Sequence, residues 1–127
     1  MKILILGVLA FSLFLSNAQA APLTFKCDFP IVINDEHGPE SQNFTFDIRI
    51  DTVTQDAIIL GNNGHAKIHL ITMNDDQLAF LEVTPSGSLM TTTVVRPTYK
   101  AVHSRHTVVT GMGDMVESQQ YGTCIPE

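Results

Sequence analysis

The side chains of this 127-residue chain that could do chemistry are five histidines, two cysteines and a short cationic run near the C-terminus. Spacing decides what each can do. His65 and His69 lie four residues apart. A helix would set them on one face, but a strand rising about 3.3 Å per residue holds them about 13 Å apart. They then cannot share a zinc ion, whose nitrogen ligands sit at about 2.0–2.1 Å. His103 and His106 are three apart and face opposite ways on a strand. Ser104 follows His103 directly, so the two side chains diverge, and no Gly-x-Ser-x-Gly turn presents the serine. Asp75-Asp76 reads as a solvated turn. Gly61-Asn62-Asn63-Gly64 lacks the Lys-Ser/Thr and the helix of a phosphate loop. These patterns predict no catalytic residue, no metal centre and no cofactor, hence a protein that is not an enzyme.

The segment Val102-His103-Ser104-Arg105-His106 places three groups able to carry positive charge in an acidic chain. With His103 and Arg105 on one face, they could meet an anionic ligand or partner. The competing and preferred expectation pairs Arg105 with Glu117 or Asp114 on the adjacent strand.

Cys27 and Cys124 are the only cysteines, so one pairing is possible. The sequence ahead of them reads as an export signal over residues 1–20. Met1-Lys2 starts it, Ile3 to Leu15 is apolar apart from Gly7 and Ser12, and Ala18-Gln19-Ala20 is a small-x-small cleavage site. The apolar run is shorter than the ~20 residues a bilayer demands, so no stable membrane anchor is expected after cleavage. A single domain over 21–127 follows. Export to a periplasmic or secreted, bacterial setting favours a disulfide, which over a loop of about 100 residues contributes up to ~4–5 kcal/mol. The formal net charge of −6, more negative without Lys2, argues against nucleic acid as a partner. An unknown protein or small ligand remains.

The elements that must position these groups are strands. Phe44, Phe46, Ile48 and Ile50 alternate with Thr45, Asp47, Arg49 and Asp51. Ala66, Ile68, Leu70 and Thr72 alternate with His65, Lys67, His69 and Ile71. Turn signals recur at Gly61–Gly64, Met73–Asp76, Pro85–Ser88, Arg96–Thr98 and Gly111–Asp114. The first strand is expected over Leu23–Phe29 and the last over Met115–Tyr121, with Cys124 beyond it. The fold class is all-β: about eight antiparallel strands in an up-and-down barrel or curled sheet, lipocalin-like in its closure, with a two-sheet sandwich as the alternative. The disulfide would tie the first strand to the C-terminus.

From about Phe44 onward the chain resembles a group of small, uncharacterised exported bacterial β proteins. The likeness rests on Phe80-Leu81-Glu82-Val83-Thr84, Gly87, Thr91-Thr92-Thr93, His103-Ser104-Arg105-His106 and Ser118 to Cys124. It implies a compartment and a fold, and no activity. A second resemblance is to periplasmic inhibitors of c-type lysozyme, small disulfide-tied β-barrels with a Ser-Gly-x-x-Tyr loop. Ser86-Gly87-Ser88-Leu89 matches its start, and Met90 stands in place of the tyrosine. This resemblance implies partner binding through Ser86, Gly87 and Ser88. The expected function is a non-enzymatic binding module of the bacterial envelope. Its alternatives are an inhibitor of c-type lysozyme or another basic enzyme, and a carrier of a small apolar ligand.

Overall fold

Period-two alternation becomes nine antiparallel strands, with no helix among the described residues. The computed structural model describes residues 21–62 and 64–127; the expected leader over 1–20 lies outside the described residues. The strands are β1 (Leu23–Asn34), β2 (Glu40–Ser41), β3 (Thr45–Ile50), β4 (Ala57–Gly61), β5 (Gly64–Met73), β6 (Gln77–Val83), β7 (Leu89–Val95), β8 (Lys100–Val109) and β9 (Asp114–Pro126). Their order is β2-β1-β3-β4-β5-β6-β7-β8-β9, and β1 pairs again with β9. Eight strands thus close into an up-and-down barrel, which removes long open edges, and β2 is a short annex on β1.

Inward positions of the strands make the core. Phe25, Ile48, Ile50, Leu78, Phe80 and Val94 are all essentially inaccessible. The expected β3 alternation holds, with Phe46, Ile48 and Ile50 inside. In β5 a bulge after Leu70 departs from it. Leu70 opposes Phe80 and Thr72 opposes Ala79, so Ile71 is extra and 61% exposed. The bulge shifts parity, and Met73 rather than Thr72 packs on the core.

The seam between β1 and β9 is built around a second bulge. Asp28 opposes Thr123 and Ile31 opposes Tyr121, leaving Phe29 and Pro30 against Gly122. Pro30 offers no N–H, and a bulge tolerates that. A Cβ on Gly122 would overlap the Asp28 carbonyl oxygen and stand 2.8 Å from the Phe29 Cα. The absent side chain lets the β1 backbone cross there and sends Phe29 fully into the interior. One step away, Cys27 and Cys124 are directly opposed, their Cα atoms 4.0 Å apart, and are joined as a disulfide. Cys124 lies inside the last strand and not after it, because β9 runs on to Pro126.

Candidate functional site

The barrel wall is split opposite that seam. Pairing of β5 with β6 ends at His69 and Leu81, although β5 begins at Gly64 and β6 continues to Val83. Before His69, β5 is held only by β4, and after Leu81, β6 is held only by β7. The Gly64–Ile68 length of β5 therefore has one edge without a ladder partner among the described residues. Sequence explains the parting. Continued register would set Glu82 beside Ile68, which is 2% exposed, and a carboxylate pressed against the core is costly.

A pocket of about 570 Å³ occupies the split. Phe44, Phe46 and Ile59 give it an apolar side, and Ala66 lines it from β5. Glu82 and Met90 line it from β6 and β7, and Arg105 reaches it from β8. The last three form one row across the sheet: Glu82 opposes Met90, and Met90 opposes Arg105.

Arg105 does not meet the acids expected for it. Its cross-strand neighbour on β9 is Ser118, while Glu117 opposes His106 and Asp114 opposes Val109. The reason is parity: Arg105 shares the inward face of β8 with buried Ala101 and His103. One guanidinium nitrogen donates to Met90 Sδ at 3.9 Å, and the buried Nε has no hydrogen-bond partner among the described residues. Glu82 is half-buried. Burial raises its pKa above the ordinary carboxylate value, and Arg105 opposes that rise by a smaller amount.

His103 lies beneath the pocket and does not line it. The side chain is 1% exposed. Its ring stands 5.5 Å from Phe44, 5.5 Å from Phe46 and 5.7 Å from Phe29, centroid to centroid. Nδ1 shares a 2.7 Å hydrogen bond with Thr92 Oγ1, and Nε2 has no partner among the described residues. Burial, with a lesser push from Arg105, lowers the pKa to about 4. The imidazole is therefore neutral at pH 7 and offers no charge to an anion. Phe44 and Phe46 both contact this ring and line the pocket, so His103 fixes the apolar side from below.

The Pro85–Ser88 turn stands at the rim. Gly87 takes φ 87°, a conformation that favours glycine. Thr84 Oγ1 accepts from the Ser88 N–H at 3.0 Å and bonds Ser86 Oγ at 3.0 Å. Ser86 and Gly87 are exposed, whereas Ser88 is buried and bonded to Thr107 Oγ1 at 2.9 Å. Of the trio expected to meet a partner, Ser86 and Gly87 are therefore exposed and Ser88 is not. His65, His69 and His106 are exposed on the outside of their strands. Among the described residues no three His, Cys, Asp or Glu side chains converge as metal ligands, and no helix is long and apolar enough to cross a membrane.

Sequence reasoning named Arg105 and missed Glu82 and Met90. A signal for Glu82 was present: it falls on the same strand face as Leu78 and Phe80. An acid in phase with a core stripe marks a wall that opens. Comparison with protein-family models, curated proteins and solved structures returns no match.

Proposed function

We propose that the protein is an exported, non-enzymatic binding module that takes a ligand in the split between β5 and β6. One observation carries this: the pocket joins an apolar side of Phe44, Phe46 and Ile59 to two charged groups, Glu82 and Arg105. Its volume of about 570 Å³ falls within the ~300–1,000 Å³ common for ligand sites. A disulfide suits an oxidising compartment. A carrier of a wholly apolar ligand fits less well, because Phe25, Phe29, Ile48 and Phe80 fill the interior below the pocket. Methyl NMR of the mature protein, titrated with the small-molecule fraction of a bacterial envelope extract, tests the proposal. The Met90 methyl should shift while core-packed Met73 stays fixed. An unmoved Met90, or a hydrolytic activity lost in His103→Gln, overturns it.

A second function is favoured by the exposed, hydrogen-bonded Ser86-Gly87 turn: inhibition of c-type lysozyme or another basic enzyme. The acidic chain would be steered to a basic partner. Lysozyme turnover in the presence of micromolar excess protein decides it, and unchanged turnover disposes of it.

A further inference from the structure

We infer that the occupant of the split is a short extended peptide, added as a strand to the free edge of β5, with its C-terminal carboxylate on Arg105. The inference rests on the ligand-binding function proposed above and names the ligand's class. Three independent features converge on it.

The first is backbone. Gly64–Ile68 has ladder partners on β4 alone, so the amides and carbonyls along its other edge stand open toward the split. A bare edge inside a barrel wall has the form used for β-strand addition, where main-chain hydrogen bonds hold a peptide whatever its side chains. Five residues of strand span about 16 Å, which matches a peptide of four or five residues.

The second is the apolar side of the pocket. Phe44, Phe46, Ile59 and Met90 line the space beside the open edge. An added strand would turn alternate side chains into it and the others to solvent. Methionine is unbranched and adapts to different side chains, which suits tolerance of sequence.

The third is charge. Arg105 lines the pocket from β8, and its guanidinium is held among the described residues only by a 3.9 Å bond to the weak acceptor Met90 Sδ. A planar guanidinium in that state is matched by a carboxylate, which can accept two parallel N–H bonds. Glu82 lies on the same cross-strand row, two strand spacings or about 10 Å from Arg105 across the sheet. It disfavours a second acidic group on the ligand and accepts a donor such as a peptide N–H. A peptide with one terminal carboxylate satisfies both groups.

The test uses the mature, disulfide-bonded protein and four probes: a pool of tetrapeptides randomised over apolar residues with free C-termini, the same pool as C-terminal amides, the same pool with N-methylated backbones, and 3-phenylpropionate. Exchange at the alternate amides of Gly64–Ile68 that face the free edge, the others being bonded to β4, and the Met90 methyl signal are read together. The free-acid pool should slow exchange at those amides at least tenfold and shift Met90. The amide pool should bind at least tenfold more weakly, and the N-methylated pool should lose the protection. Arg105→Gln should abolish the preference for free acid over amide. If phenylpropionate and the N-methylated pool shift Met90 as strongly as the free-acid pool, the pocket stands and the peptide inference falls. If no probe moves Met90, the peptide inference falls, and the envelope-extract titration alone decides the pocket. Concentration-dependent protection of Gly64–Ile68 without any probe would assign the edge to a second copy of the chain and overturn the inference.

Discussion

His103 shows how a residue that looks chemical can be wholly architectural. Its neighbours in sequence, Arg105 and His106, suggested a cationic patch, yet three phenylalanine rings and Thr92 enclose it. Enclosure has a measurable consequence. A histidine titrating near 6.5 in the unfolded chain and at about 4 in the folded one binds its proton more readily when unfolded. The stability gained from its neutral burial is fully present above pH 6.5 and is lost progressively as pH falls toward 4. The loss from this group is on the order of 3 kcal/mol. Urea unfolding of the wild type and of His103→Asn at pH 7 and pH 4 isolates it, because other titrating groups cancel in the difference. Glu82, with its raised pKa, acts in the opposite sense, and Asp51, lowered by backbone hydrogen bonds from Thr54 and Val53, acts in the same sense as His103. The wild type should lose more stability than the variant. Equal losses would show that His103 is not neutral and enclosed.

At the level of elements, alternation is legible and interruptions to it are less so. Phe46, Ile48 and Ile50 declare their inward face through period two, and turns at Gly61–Gly64 and Pro85–Ser88 declare where strands end. The bulge at Ile71 carries no such local mark, and Pro30 marks an interruption in β1 without showing what the partner strand places opposite. The pocket falls in the same category. Glu82 is in phase with Leu78 and Phe80 in the sequence, but the inward turn of Arg105 and the end of β5–β6 pairing at His69 and Leu81 are properties of several strands together. Gly122 is the clearest case of a residue whose role appears only in three dimensions. A methyl group there would collide with the Asp28 and Phe29 backbone, and backbone cannot swing aside as a side chain can. Gly122→Ala should therefore cost about 3 kcal/mol or more, at or beyond the upper end of overpacking penalties. Gly38 is the control, because a methyl group added there would meet nothing within 4 Å, and Gly38→Ala should stay within about 0.5 kcal/mol. Chemical denaturation of the two variants compares them directly, and similar midpoints would mean the seam can spread to admit a side chain.

Across the whole molecule, the staple and the split oppose each other. In the closed order, β1, β3, β4 and β5 form one run of four strands and β6, β7, β8 and β9 the other. The runs meet at the β1–β9 seam, where pairing extends from Phe25–Pro126 to Asn34–Ser118 and the disulfide sits within it. They part at β5–β6, where pairing covers only the far half of β5. With part of the β5 edge left out of the ladder on one wall, the long paired seam on the opposite wall keeps the two runs together. That gives the cysteines a role beyond the loop entropy of their 97-residue separation, which alone is worth about 4–5 kcal/mol. The double variant Cys27→Ala/Cys124→Ala should retain strand content by circular dichroism, since the backbone ladder through both positions remains. It should lose about 4 kcal/mol in denaturant unfolding, and amide exchange should quicken first along β1 and β9. Binding at the split, four strands away, should change less than the stability does. Equal unfolding midpoints with and without the bridge would mean that the backbone ladder alone secures the wall, and the coupling between staple and split would be lost with it.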